Sequence, residues 1–150
     1  MEILDLKNNL EFLQEVVTLE HLEWADKPND NMEERIKLKC DKVRNLLDTD
    51  NFCKLILVDN NVLIGFISIF PYDSDEEPDL TPWYATMYVK KEYRGKGYSR
   101  VLNDAILAEA KRRGYKEIYL KTTLNNYYEK FGAVYIKNIT EEEKLLKFVL

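Results

Sequence analysis

Val89-Lys90-Lys91-Glu92-Tyr93-Arg94-Gly95-Lys96-Gly97-Tyr98-Ser99-Arg100 joins two periodicities. Ahead of it, residues alternate along 81–90, which predicts a strand with Trp83, Ala85, Met87 and Val89 on one face. Behind it, Val101, Leu102, Ala105, Ile106 and Ala110 recur at helical spacing, so a helix is expected over about 98–113, ended by Gly114. The first N–H groups of such a helix have no partner within it, and its dipole favours negative charge there. Gly95 and Gly97 let backbone come close to a bulky anion. Lys96 and Arg100 stand ready to add charge-assisted contacts. The joint therefore reads as a phosphate cradle, although a plain strand-to-helix turn uses the same glycines. A dinucleotide fingerprint is not met, because its third glycine falls on Arg100. Neither is a Walker loop, because no Lys-Ser or Lys-Thr follows the glycines.

Upstream, Phe52 to Asp59 and Val62 to Phe70 read as strands joined by a two-residue turn at Asn60-Asn61, since Asn tolerates positive φ. Before them, a helix is expected over 6–24, its stripe made by Leu10, Leu13 and Val17 with Phe12, Val16 and Leu19. Pro28-Asn29-Asp30-Asn31 breaks it. A second helix follows, capped by Asp30 or Asn31 with Glu33 or Glu34 reaching back, and burying Ile36, Cys40, Val43 and Leu47. Downstream come a short strand (Glu117 to Lys121), a short helix (Asn125 to Phe131) ended by Gly132, and strands over 133–137 and 144–150. The early hairpins imply antiparallel pairing and the strand–helix–strand unit a parallel pair. The expected fold is α/β of the α+β kind: one domain over 1–150 with a mixed, mostly antiparallel central sheet and helices on both faces.

Composition narrows the function. A chain of 150 residues suits one domain, and a net charge of −5 argues against general affinity for nucleic acid or anionic membranes. With His21, inside an expected helix, as the single histidine, a Ser-His-Asp triad or a multi-histidine metal site is not expected. Cys40 and Cys53 show neither pairing nor metal-ligand spacing and read as buried reduced thiols, so a cytoplasmic setting and no metal are expected. The N-terminal residues lack the pattern of a signal peptide, and no run is long enough to span a bilayer.

Arg94-Gly95-Lys96-Gly97-Tyr98-Ser99 resembles the acetyl-CoA signature of the GNAT superfamily of N-acetyltransferases, Q/R-x-x-G-x-G/A, and follows an apolar strand at the head of a long helix as in that family. Tyr127-Tyr128-Glu129-Lys130-Phe131-Gly132 resembles the family's later aromatic-Tyr-Glu-Lys-x-Gly segment, one helix and one strand further on. Leu80-Thr81-Pro82-Trp83 is similar to the same strand in a bacterial subset. The likeness is good over 52–137 and loose over the first two helices, where the family varies with substrate. Two departures stand out. The signature's last Gly/Ala is Ser99, and the family's frequent Asn-x-x-Ala element has no counterpart in 121–126.

The resemblance implies a donor site for acetyl-CoA. The pyrophosphate would rest on the backbone of Arg94, Gly95, Lys96, Gly97, Tyr98 and Ser99, with Arg100 beside it. The pantetheine arm would run along Met87, Tyr88 and Val89, on a strand splayed from its parallel neighbour at 117–121, and an amide there would hold the developing oxyanion. Tyr128 would act as the general acid for the leaving thiolate. The acceptor would be a small-molecule amine or a peptide amine, and the protein a monomer or homodimer. The acidic loop Asp73, Asp75, Glu76, Glu77, Asp79 either attracts a cationic acceptor or is a solvated loop, and Trp24 either lines the acceptor pocket or anchors the core. Water-mediated bases are available in that loop, but no residue identifies itself as the base. A non-catalytic acyl-CoA-binding module of the same fold, and a nucleotide-phosphate-binding domain of another fold, are the competing readings.

Overall fold

The computed structural model describes residues 1–150. Its strands are β1 (Glu2–Asp5), β2 (Cys53–Asp59), β3 (Val62–Phe70), β4 (Trp83–Val89), β5 (Glu117–Thr122), β6 (Val134–Asn138) and β7 (Lys144–Val149), and its helices α1 (Leu13–Trp24), α2 (Met32–Leu46) and α3 (Tyr98–Arg112). The strands form one sheet in the order β1-β2-β3-β4-β5-β7-β6. Every pairing is antiparallel except β4 with β5.

The hairpin between β2 and β3 turns on Asn60 and Asn61 at φ 49° and 62°, the left-handed pair that a two-residue turn requires. Both strands are buried on both faces, so alternate residues of β2 serve two cores. Cys53, Leu55 and Leu57 pack with Leu102, Ile106 and Ala110 of α3. Phe52, Ile56 and Val58 pack with Val16 and Val17 of α1 and with Ile36, Cys40 and Val43 of α2. The sheet is thus sandwiched between α1–α2 and α3.

Five details differ from the sequence reading. Residues 2–5 form an edge strand on β2 that was not expected. The helix expected from residue 6 begins at Leu13, after two 3-10 turns, because Asn9 sits at φ −142°, ψ 55° and its side chain bonds the Asp5 carbonyl instead of continuing a helix. Leu10, assigned to the stripe, is exposed in consequence. α2 has no side-chain cap, since Asn31 is left-handed at φ 48°. Instead Arg35 donates to the carbonyls of Asp26, Lys27 and Asp30, tying down the α1–α2 loop. The helix expected over 125–131 shrinks to a 3-10 turn at Glu129–Phe131, because Asn126 at φ 59° cannot continue a helix.

The fifth concerns β4. Phe66 faces Tyr88, yet Ser68 faces Ala85, so Thr86 and Met87 stand opposite Ile67 alone. Thr86 takes φ 52°, an outlying value for a β-branched residue. This bulge shifts the alternation: Tyr84, Met87 and Val89 pack towards α3, and Tyr88 packs towards α1. The single face proposed for Trp83, Ala85, Met87 and Val89 is therefore broken at Thr86.

Candidate active site

β4 and β5 meet at one pair only, Trp83 with Tyr119, closed by the Tyr119 N–H on the Pro82 carbonyl at 3.0 Å. Beyond it the two strands diverge. Beside the unpaired end of β4 lies a cavity of about 590 Å³ lined by Met87, Tyr88 and Val89 of β4, by the turn and start of α3 (Arg94, Gly95, Gly97, Tyr98, Ser99, Arg100), and by Tyr128. One wall has the signature turn and another the C-terminal end of β4.

The turn has the local geometry that an anion cradle needs. Gly95 and Gly97 lie at φ 77° and 83°, and a Cβ built on either meets no atom within 4 Å, so their outer side is open. Gly97 is the N-cap of α3 without a side-chain bond, and no acidic residue occupies the helix's first turn. Ser99 lies inside that first turn at ordinary helical φ, so serine in place of Gly/Ala carries no backbone penalty. Arg94 turns inward: its Nε donates to the Val89 carbonyl at 2.7 Å, and its guanidinium lies over the Tyr88 ring, which ties the turn to the end of β4. Arg100 lies over Phe131 and pairs with Asp104 at 3.6 Å. Lys96 does not line the cavity. Set between two left-handed glycines, its side chain swings out over the Tyr93 ring at 5.8 Å. The cation missed in the sequence is Lys130, which lines the cavity with its ammonium 4.2 Å from the centre of the Tyr127 ring. Its place directly after Tyr128-Glu129 was the available signal.

Two tyrosines near the cleft differ in their surroundings. Tyr84 is buried and its hydroxyl donates to Asn103 at 2.8 Å, so desolvation raises its pKa strongly and it serves the core. Tyr128 stands edge-on to Tyr84 and Tyr127, and its side chain lines the cavity. Burial, aided by Tyr127, pushes its phenol up to about 12, so it keeps its proton at every physiological pH.

On the other side of β4, a second cavity of about 510 Å³ is enclosed by α1, α2, β2, β3 and the Thr86 bulge. Glu20, Trp24, Lys39, Lys54, Asp73 and Thr86 are among its walls. Trp24 is half exposed and sits edge-on to Tyr88, so it is a wall residue and not a core anchor. Within the acidic loop, Glu77 pairs with Lys137 at 2.5 Å and Glu76 accepts from Ser74, while Asp73 alone lines this cavity. Burial raises the Asp73 carboxyl to about 6, only partly offset by Lys121. His21 is buried and held by two hydrogen bonds: Nε2 donates to the Pro28 carbonyl, and Nδ1 accepts from Lys39. Cys40 and Cys53 are free and buried, and desolvation pushes the Cys53 thiol up to about 12. A larger groove of about 1030 Å³ between residues 10–14 and α2 touches neither cavity's β4 wall.

The fold and the cleft define the class. The profile of the acetyltransferase (GNAT) family matches residues 16–133, and the chain belongs to that family. N-alpha-acetyltransferase 30 of Schizosaccharomyces pombe is 33% identical over 89 residues, which are 56% of this chain and 59% of that protein's length. Among solved structures, an aminoglycoside 6'-N-acetyltransferase complexed with coenzyme A superposes with a TM-score of 0.72 at 18% identity, covering 99% of this chain and 97% of that one. The PaiA N-acetyltransferase of Thermoplasma acidophilum in complex with coenzyme A gives 0.68 at 21% identity, with both chains fully covered. No helix is long and apolar enough to cross a membrane.

Proposed function

We propose that the chain is a single-domain N-acetyltransferase that moves the acetyl group of acetyl-CoA directly to a primary amine, in the cytoplasm and without a metal. The observation that carries this is the opening of β4 from β5 directly beside an uncapped helix N-terminus with two open glycines. The pyrophosphate rests on the N–H groups at 95–100, where donors and dipole both favour negative charge. The pantetheine arm follows Met87 to Val89 and adds its amides to the unpaired edge of β4. A backbone N–H in that segment holds the thioester oxygen as it becomes an oxyanion.

The amine enters from the cavity across β4, so nucleophile and thioester meet at the bulge. It attacks the carbonyl carbon, the C–S bond breaks, and the amine proton leaves through water to Asp73. A carboxylate raised to about 6 is ionised at pH 7 yet basic enough to relay that proton. Tyr128 supports the departing sulfur. The panel of acceptors follows from chemistry and from the similar proteins: a polyamine, an aminoglycoside and a peptide with a free N-terminus.

The test is thermal unfolding with acetyl-CoA, CoA or ATP. Ligand at about 100 times its Kd adds about 2.7 kcal/mol, roughly 5–10 °C in Tm for a chain of this size. A rise with both CoA species and none with ATP is expected. A rise only with ATP points to a nucleotide-binding domain instead. Binding without transfer to any amine of the panel indicates an acyl-CoA-binding module.

Asp73 gives a second measurement with two opposite signs. Its pKa is higher folded than unfolded, so the fold favours the protonated carboxyl, and stability falls as pH rises from about 4 through about 6. Asp73→Asn removes that loss. The shift corresponds to about 3 kcal/mol at most and about 1 kcal/mol after solvent screening, so Tm rises by roughly 2–4 °C at pH 7.5 and stays unchanged at pH 3.5. Turnover falls while stability rises. Equal turnover in the variant removes Asp73 from the proton path.

A further inference from the structure

Lys54 is a lone charge in the apolar run Phe52-Cys53-Lys54-Leu55-Ile56-Leu57-Val58, and its side chain is completely buried. A buried ammonium is costly unless paired and hydrogen-bonded. Here it is both. Lys54 Nζ forms an ion pair with Glu20 of α1, donates to Ser68 Oγ of β3 at 2.5 Å, and reaches Thr86 Oγ1 of β4 at 3.3 Å. Ser68 and Thr86 share a further hydroxyl–hydroxyl bond at 2.7 Å. The rings of Phe52, Phe66 and Phe70 surround the ammonium at 5.3–5.9 Å from their centres. One charged atom thus links α1, β3 and β4 at the floor of the cavity across β4 from the donor cleft.

Its partner on β4 is the bulge residue. Left-handed φ strains a β-branched threonine, and such a conformation persists only where the surroundings hold it. The Thr86 hydroxyl is held by Lys54 and Ser68 and by no backbone group. Directly after Thr86 come Met87, Tyr88 and Val89, whose direction the bulge sets.

We propose that Lys54 is a positioning residue: through Thr86 it fixes the β4 bulge and so aims the peptide groups of Met87 to Val89 at the donor thioester. The consequence for acetyl transfer rests on the donor-site reading above; the consequence for the backbone does not. The pyrophosphate cradle at 95–100 lies on a different element, so loss of Lys54 leaves CoA anchored and displaces the acetyl end.

The closing experiment compares Lys54→Met, Thr86→Ala and the double variant Lys54→Met/Thr86→Gly with the wild type. Calorimetry with CoA and acetyl-CoA, transfer to the acceptor panel, and NMR or crystallography of ligand-free protein are the readouts. In Lys54→Met, CoA affinity stays within threefold, kcat falls at least tenfold, and Thr86 leaves its left-handed φ. Glycine adopts that φ freely, so Thr86→Gly in the same background restores kcat at least fivefold. A merely structural lysine predicts no such rescue. Unchanged kcat, a retained bulge, or failure of the glycine rescue overturns the proposal. If Lys54→Met does not fold, Thr86→Ala decides: Lys54 stays, the hydroxyl is gone, and an intact bulge refutes the role. A wild type that neither binds acetyl-CoA nor acetylates removes the donor reading alone, because the bulge is read from the ligand-free backbone.

Discussion

Tyr128→Phe is expected to lower kcat about 100-fold while leaving the Kd for CoA within threefold. The ring makes its edge contacts with Tyr84 and Tyr127 through carbon, so phenylalanine preserves the packing and the fold. Only the hydroxyl is lost, from a residue that lines the candidate donor cavity. The effect belongs at the low end of the range for general acids, 10²- to 10⁴-fold, for a reason visible in the pKa. A phenol at about 12 is a weaker acid than a thiol near 8.5, so complete proton transfer to sulfur runs uphill. In the proposed reaction Tyr128 would therefore act by hydrogen-bonding the sulfur as its charge develops, with the proton following later from solvent. The same value fixes the pH dependence. The active form is protonated, and its proton is lost only near pH 12, so wild-type turnover shows no descending limb from Tyr128 below about pH 11. The check is the kcat profile of both proteins from pH 6 to 10, with CoA affinity by calorimetry. Retention of most of the turnover in Tyr128→Phe removes the tyrosine from the mechanism.

Local chemistry was readable along the chain; long-range consequences were not. Asn60-Asn61 carried its turn in two residues, and β3 runs over the residues expected from its apolar stretch. The joint at 94–99 announced both a helix start and an open glycine turn, because each depends on residues a few positions apart. β1 escaped notice because four residues of mixed character become a strand only by pairing with β2, fifty residues away. Thr86 reads as an ordinary strand residue, and nothing beside it signals the left-handed φ that Lys54, Ser68 and Glu20 surround. Lys54 is a single charge within the apolar run of β2, a signal that the reading of 52–59 as a plain strand passed over. Its partners, however, come from three other elements. The candidate donor cavity follows the same rule: apart from Glu23 of α1, its lining residues lie in two stretches, 87–100 and 124–131, both singled out from sequence, with Lys96 displaced by the conformation of its flanking glycines. The cavity across β4 draws on five elements and needed the fold.

Gly65→Ala is expected to damage stability and the donor cleft together. Gly65 stands opposite Val89 in the β3–β4 ladder. A Cβ at this position would lie 2.4 Å from the Tyr88 carbonyl oxygen and 3.2 Å from the Val89 Cα, both backbone atoms, and 3.1 Å from Leu102 Cδ1. Backbone cannot swing aside as a flexible side chain does, so β4 must shift or the ladder must open. Overpacking of this kind costs about 1–3 kcal/mol, which lowers Tm by roughly 3–10 °C. The peptides pushed aside are those that border the donor cleft, and on the α3 side Leu102 blocks retreat. Acetyl-CoA affinity should therefore fall about tenfold, the equivalent of 1.4 kcal/mol of lost contact. Gly114→Ala is the matching control. It faces a left-handed φ of 90° but open space, far from the cleft, so it loses about 1 kcal/mol of stability and no acetyl-CoA affinity. Denaturant melts and calorimetry on the two variants separate the outcomes. If Gly65→Ala loses stability yet binds acetyl-CoA as the wild type does, the end of β4 does not contact the cofactor. If both properties fall together while Gly114→Ala loses stability alone, the β3–β4 approach is what sets the position of the donor strand.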